Sequence, residues 1–186
     1  MRAMLLVLML VVICASGVTG SDDENEEKIV MMRQIVLETT VGATLDDVWR
    51  VWTTTEGVTS FFAPQANVKL EVGGLFELYF APTDAQGSRG SEDCKILSYL
   101  PKEMLSFSWN APPSIPNLRN AGFKTWVVVR FEQLQARQVK IKLTHLGIRD
   151  GEDWDNYLAY FQNAWPRVLA SCRTRFEDGP IDWNDR

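Results

Sequence analysis

Apolar residues recur at steps of three and four from Trp154 to Cys172. Trp154, Leu158, Phe161, Trp165, Val168, Leu169 and Cys172 fall on one helical face. The spacing predicts a long amphipathic helix over 152–176 with two tryptophans on its inner stripe. Such a stripe needs a broad apolar surface to cover. Between Arg33 and Leu146 the period changes to two, the signature of strands with one buried face. Ile35, Leu37, Thr39 and Val41 alternate in a first strand over 30–41. Residues 68–72 lead through Gly73-Gly74 into 75–80, where Phe76, Leu78 and Phe80 share a face, a hairpin pattern. Strands follow over 91–99 and 104–109, the latter with Leu105, Phe107 and Trp109 on one side. A last antiparallel pair over 123–131 and 139–146 aligns Thr125, Val127, Val129 and Phe131, then Val139, Ile141, Leu143 and His145.

Two short helices interrupt the strands early. Thr44 is placed to cap the first, with Asp46 and Asp47 in the turn where the helix dipole favours anions. Leu45, Val48, Trp49 and Trp52 form its apolar face. Thr55 is read as the cap of a second over 56–62, stopped before Pro64. Residues 111–121 hold Pro112, Pro113 and Pro116 and read as a loop. Strand, two short helices, about six strands and a long helix make an α+β fold, an antiparallel sheet curved around the last helix.

Residues 1–20 stand outside this pattern. Arg2, a ten-residue apolar run from Met4 to Ile13, and small residues up to Gly17 and Gly20 form a cleavable secretory signal. The run is short for a membrane span, which needs ~20 residues. The expected organisation is therefore a signal peptide (1–20), an acidic flexible leader (21–29), one domain (30–178) and a tail (179–186). A secreted or periplasmic location follows, with no stable membrane insertion after cleavage. Loss of Arg2 takes the net charge from −5 to −6, which excludes nucleic acid as a partner because phosphate binding needs a clustered positive field. Cys94 and Cys172 survive cleavage, with two open readings: a disulfide in an oxidising compartment, or separate small core residues.

The chemistry-bearing residues are few. The single histidine, His145, rules out multi-histidine metal sites, and neither metal nor cofactor is expected. With no nucleophile motif beside it, a structural histidine bonded to backbone competes with a general base. Glu77 and Glu92 read as solvated charges, Glu77 from its outward parity. Asp150, Glu152, Asp153 and Asp155 lack calcium-loop spacing and suit the helix N-terminus. Arg130, Arg137, Lys140 and Lys142 read as a solvated basic sheet face.

Several pieces recur in a known order: Val48-Trp49 with Trp52-Thr53, Gly73-Gly74-Leu75-Phe76, Leu105 through Trp109, Leu143 through Gly147, and Trp154 with Asn163-Ala164-Trp165 and Leu169. Together, over 33–178, they resemble the helix-grip fold of the START-like (SRPBCC) superfamily. Within it they look most like proteins similar to the C-terminal domain of the activator of the heat-shock-protein-90 ATPase. The family commonly has glycine where Ala164 stands, and most of it is intracellular. The resemblance implies a sheet of about six to seven strands gripping the long helix and no universal catalytic set. It also implies a cavity between sheet and helix for apolar or amphipathic ligands.

The sequence thus points to an exported, non-enzymatic domain binding a small hydrophobic or amphipathic ligand. Trp52, Phe61, Phe76, Leu78, Phe107, Trp109, Val127, His145, Trp154, Leu158 and Phe161 are the candidate lining. For any one of these, ordinary core is the competing reading. The alternatives are a protein-interaction module of the chaperone-activator kind, with an unknown protein partner, and a cyclase- or hydrolase-like enzyme using His145. Tyr157 and Tyr160 lie off the apolar stripe, one of them placed to reach the cavity mouth.

Overall fold

The computed structural model describes residues 33–185. The expected signal peptide and acidic leader, positions 30–32 of the expected first strand and the final residue lie outside the described residues. Strand β1 (Arg33–Val41) is followed by helices α1 (Leu45–Thr53) and α2 (Thr55–Thr59), then β2 (Gln65–Val68) and β3 (Phe76–Tyr79). The chain continues through β4 (Ile96–Leu100), β5 (Met104–Trp109), α3 (Pro116–Asn120), β6 (Thr125–Gln135), β7 (Gln138–Ile148) and α4 (Glu152–Asp178). Five strands form one antiparallel sheet in the order β1-β7-β6-β5-β4, and β2-β3 form a separate two-stranded sheet. Isolated bridges from Leu75 to Lys95 and from Tyr79 to Gly90 tie the small sheet to the chain before β4. Among the described residues, seven strands and the long helix α4 make the α+β architecture that the periodicities predict.

The inner parities hold. Thr125, Val127, Val129 and Phe131 of β6 are buried, as are Val139, Ile141, Leu143 and His145 of β7. On α4 the buried line runs through Tyr157, Phe161, Trp165, Leu169 and Cys172, a stripe at near-constant steps of four. Tyr157 is therefore inside, at 1% exposure, with Trp154 and Leu158 at the stripe's edge. Cys94 and Cys172 are buried free thiols, so the core-residue reading replaces the disulfide. Pro166 sits within α4 on its exposed side, where it removes one helical hydrogen bond. The long packed stripe overrides that local cost. Among the described residues no helix is long and apolar enough to cross a membrane.

The small helices are set by caps and by one close contact. Thr44 Oγ1 accepts the Asp47 amide at 3.2 Å, as expected. For α2 the cap is Thr54 rather than Thr55: its extended backbone lets its hydroxyl accept the Gly57 amide at 3.0 Å. Gly57 faces α1 so closely that a Cβ there would stand 2.6 Å from the Val51 Cα. Only glycine allows the two helices to meet. The loop 111–121 contains α3, which has Pro116 in its first turn and no buried residue. It carries no apolar periodicity by which a sequence could reveal it.

Candidate functional site

The expected space between the sheet and α4 is mostly filled. Trp52, Phe76, Leu78, Phe107, Val127 and His145 are completely buried and line no opening. Trp154 packs edge-on against Phe123 at 5.4 Å, and Leu158 is half-buried against the core. The opening lies to one side, as a half-open cleft of about 330 Å³ along α4. Of the eleven candidates it gathers Phe61, Trp109 and Phe161. The turn after α2 contributes Phe61 and Phe62, the chain after β3 Phe80, and the loop after β5 Asn110, Pro112 and Pro113. The outer side of the α4 stripe adds Tyr160, Ala164, Trp165, Arg167, Val168 and Ser171.

Eight of its lining residues are aromatic. Trp165 lies 5.3 Å from Trp109 and stacks on Phe161 at 5.7 Å, and Phe62 stacks on Trp109 at 5.9 Å. Offset and tilted pairs at these separations are favourable beyond simple area burial. Trp183 closes one end from residues 179–185, the segment read as a tail. That segment is pinned to α2: the Ile181 amide donates to the Ser60 carbonyl at 3.0 Å, and the Trp183 indole to the Thr59 carbonyl at 2.6 Å. Tyr160 and Phe80, each 46% exposed, stand among the lining residues.

A buried polar network fixes the wall of this cleft. The Trp165 indole N–H donates to His145 Nδ1 at 2.9 Å. An indole nitrogen only donates, so Nδ1 is the bare nitrogen and Nε2 carries the imidazole proton. Nε2–H then donates to Thr125 Oγ1 at 2.7 Å, and the Thr125 hydroxyl donates to the Trp109 carbonyl at 3.0 Å. The Tyr157 hydroxyl fills the second lone pair of Thr125 Oγ1 at 2.6 Å. Every polar group is satisfied, as low-dielectric surroundings require.

His145 is thus bonded to side chains of β6 and α4, not to backbone. Burial holds its pKa down at about 3, keeping it neutral, and its one lone pair is already occupied. It has no means of taking a proton from a substrate. Its work is to hold Trp165, and with it α4, in one orientation against β7.

A second polar cluster shapes the rim. Glu77 and Glu92, read as solvated, are buried at 9% and 7% exposure. The chain between β3 and β4 folds back on them. Glu77 accepts the Asp93 amide and the Tyr79 hydroxyl, each at 2.8 Å. Glu92 accepts the amides of Gly87 and Arg89 and pairs with the Arg89 and Arg119 guanidinium groups. Burial opposes its charge, but these donors outweigh burial and lower its pKa. Arg119 also donates to the carbonyls of Gly87, Gly90 and Ala111, stitching two loops together beside the cleft. On the outer sheet face, Lys140 pairs with Glu132 at 2.5 Å and Lys142 with Glu38 at 3.3 Å, which neutralises much of the basic face read from sequence.

Sequence alone missed Phe62, Phe80, Asn110, Arg167 and Trp183. The visible signal was Trp183 itself: a tryptophan in a short acidic tail needs an apolar partner. The other positions lie on four separate segments that meet only in the fold.

Comparison with known proteins places this geometry. A family model described as "Activator of Hsp90 ATPase homolog 1-like protein" matches residues 42–177. A search of curated proteins finds no match. Among solved structures, a structural-genomics protein from Mesorhizobium loti is similar at 18% identity and TM-score 0.63, covering 80% of this chain and all of that one. The Aha1 dimer from Colwellia psychrerythraea aligns at 17% identity and TM-score 0.62, covering 80% of this chain and 98% of its own. An HSP90 activator from Plasmodium falciparum aligns at 19% identity and TM-score 0.57, covering 81% and 98%. At such identities the likeness is one of fold.

Proposed function

The chain belongs to the Activator of Hsp90 ATPase homolog 1-like family, and from that premise we propose an exported, non-enzymatic domain that holds a small hydrophobic or amphipathic ligand in the cleft along α4. One observation carries this reading: a half-open space of about 330 Å³ lined by aromatic side chains, of the size and polarity of small-molecule sites. The occupied lone pair of His145 argues against the enzyme reading. The apolar run of residues 4–13 behind Arg2 supports export.

Filling the cleft tests the binding reading. Ala164 is half-buried on α4 and lines the space, so Ala164→Trp should occupy it while circular dichroism stays native. Wild-type protein should take up the neutral dye Nile red, and the variant should lose at least about nine-tenths of that uptake. Equal uptake by both proteins, or none by the wild type, overturns the proposal.

An interaction module is the second reading, favoured by the family's description and by the activator relatives. Pro112 and Pro113, in the loop beside the cleft, would be part of its surface. Recovery of one stable protein partner by cross-linking, with no small molecule in the native mass spectrum, would move the assignment there.

A further inference from the structure

The cleft is apolar, but its charge is one-sided. The chain carries 24 acidic residues against 19 basic, yet among the described residues no acidic side chain lines the cleft. Its charged lining residues are Arg119 and Arg167. These two differ in what they have left to offer. Arg119 is nearly buried, donates to three carbonyls and pairs with the Glu92 carboxylate at 3.2 Å, so its charge and most of its donors are committed. Arg167 is exposed on α4 and, among the described residues, forms neither an ion pair nor a hydrogen bond. Ser171, one helical turn further along the same helix, adds a hydroxyl to the lining on that side.

Resting on the binding reading above, we propose that the ligand is an amphipathic anion. Its apolar body lies among Trp109, Phe161, Trp165 and Trp183, and its carboxylate-like head pairs with Arg167 at the mouth. A guanidinium offers a planar fork of donors that matches a carboxylate better than a point charge does. An apolar cleft with one uncommitted cation at its edge selects for a molecule with one anionic end. A neutral apolar ligand would gain nothing from that cation.

Decanoate and 1-decanol, which share a chain and differ in charge, separate the possibilities. Both are titrated below their aggregation limits at pH 7 and followed by tryptophan fluorescence. Decanoate should bind wild-type protein roughly five- to tenfold tighter than decanol, the range of a partly exposed charge-assisted pair. That preference should shrink as salt is raised. In Arg167→Gln the ratio should fall to near one, and Arg167→Lys should restore part of it. If decanol and decanoate bind the wild type equally, or the preference survives in Arg167→Gln, the anionic ligand class is refuted while the cleft stays a binding site. If neither molecule binds, both the ligand class and the binding reading fall.

Discussion

At the scale of single residues, His145 decides most. It is the only histidine, and its burial lowers its pKa from 6.5 to about 3. In the unfolded chain the imidazole takes a proton as pH falls through 6.5; in the folded state it refuses one until about 3. Protons therefore favour the unfolded state throughout that window. Stability is full above pH 6.5 and is lost below it at about 1.4 kcal/mol per pH unit. Urea denaturation should show about 2 kcal/mol less stability at pH 5 than at pH 7. His145→Gln, though less stable at pH 7, should lose that slope; a wild-type protein equally stable at both pH values would contradict the buried neutral imidazole. The sequence showed His145 on an inward parity, but its partners come from β6 and α4, and no spacing rule joins Thr125, Tyr157 and Trp165. Glu77 failed for the same reason: strand parity was right about its side and blind to the loop that folds over it.

At the scale of elements, the long-period signals were legible and the contacts between elements were not. The stripe of α4 and the alternation of β6 and β7 follow from burial on one face, which local sequence records directly. α3 was invisible because none of its residues is fully buried. The cleft is made where α2, the loop after β5, α4 and the pinned tail converge, so only Phe61, Trp109 and Phe161 of the candidates reached it. The α1–α2 contact at Gly57 is likewise a property of the pair. Gly57→Ala should cost about 2 kcal/mol and lower the Tm by roughly 5 °C, because the obstructing atoms are backbone. Gly42→Ala has no neighbour within 4 Å of the new methyl and serves as the control, with little or no loss. Equal Tm values for the two variants would remove the steric argument.

At the scale of the whole molecule, the family and the α+β architecture were readable from ordered motifs because they describe the complete chain of elements. Export is the next thing to establish. Expressed with residues 1–20 in a secretion-competent host, the chain should be recovered outside the cytoplasm with Val18 or Ser21 at its N-terminus, as Edman sequencing would show. Recovery of intact Met1 in the cytoplasmic fraction would refute it. The two free thiols bear on the same molecule differently. Cys94 lies in the chain before β4 and Cys172 at the far end of the α4 stripe, both shut away from solvent. Burial pushes them up to about 11 and about 12, leaving them protonated. A maleimide cannot reach either until the surrounding structure opens. Each cysteine is therefore a built-in timer: Cys172 dates the lifting of α4, Cys94 the parting of the two sheets, and the interval between them orders how the domain comes apart.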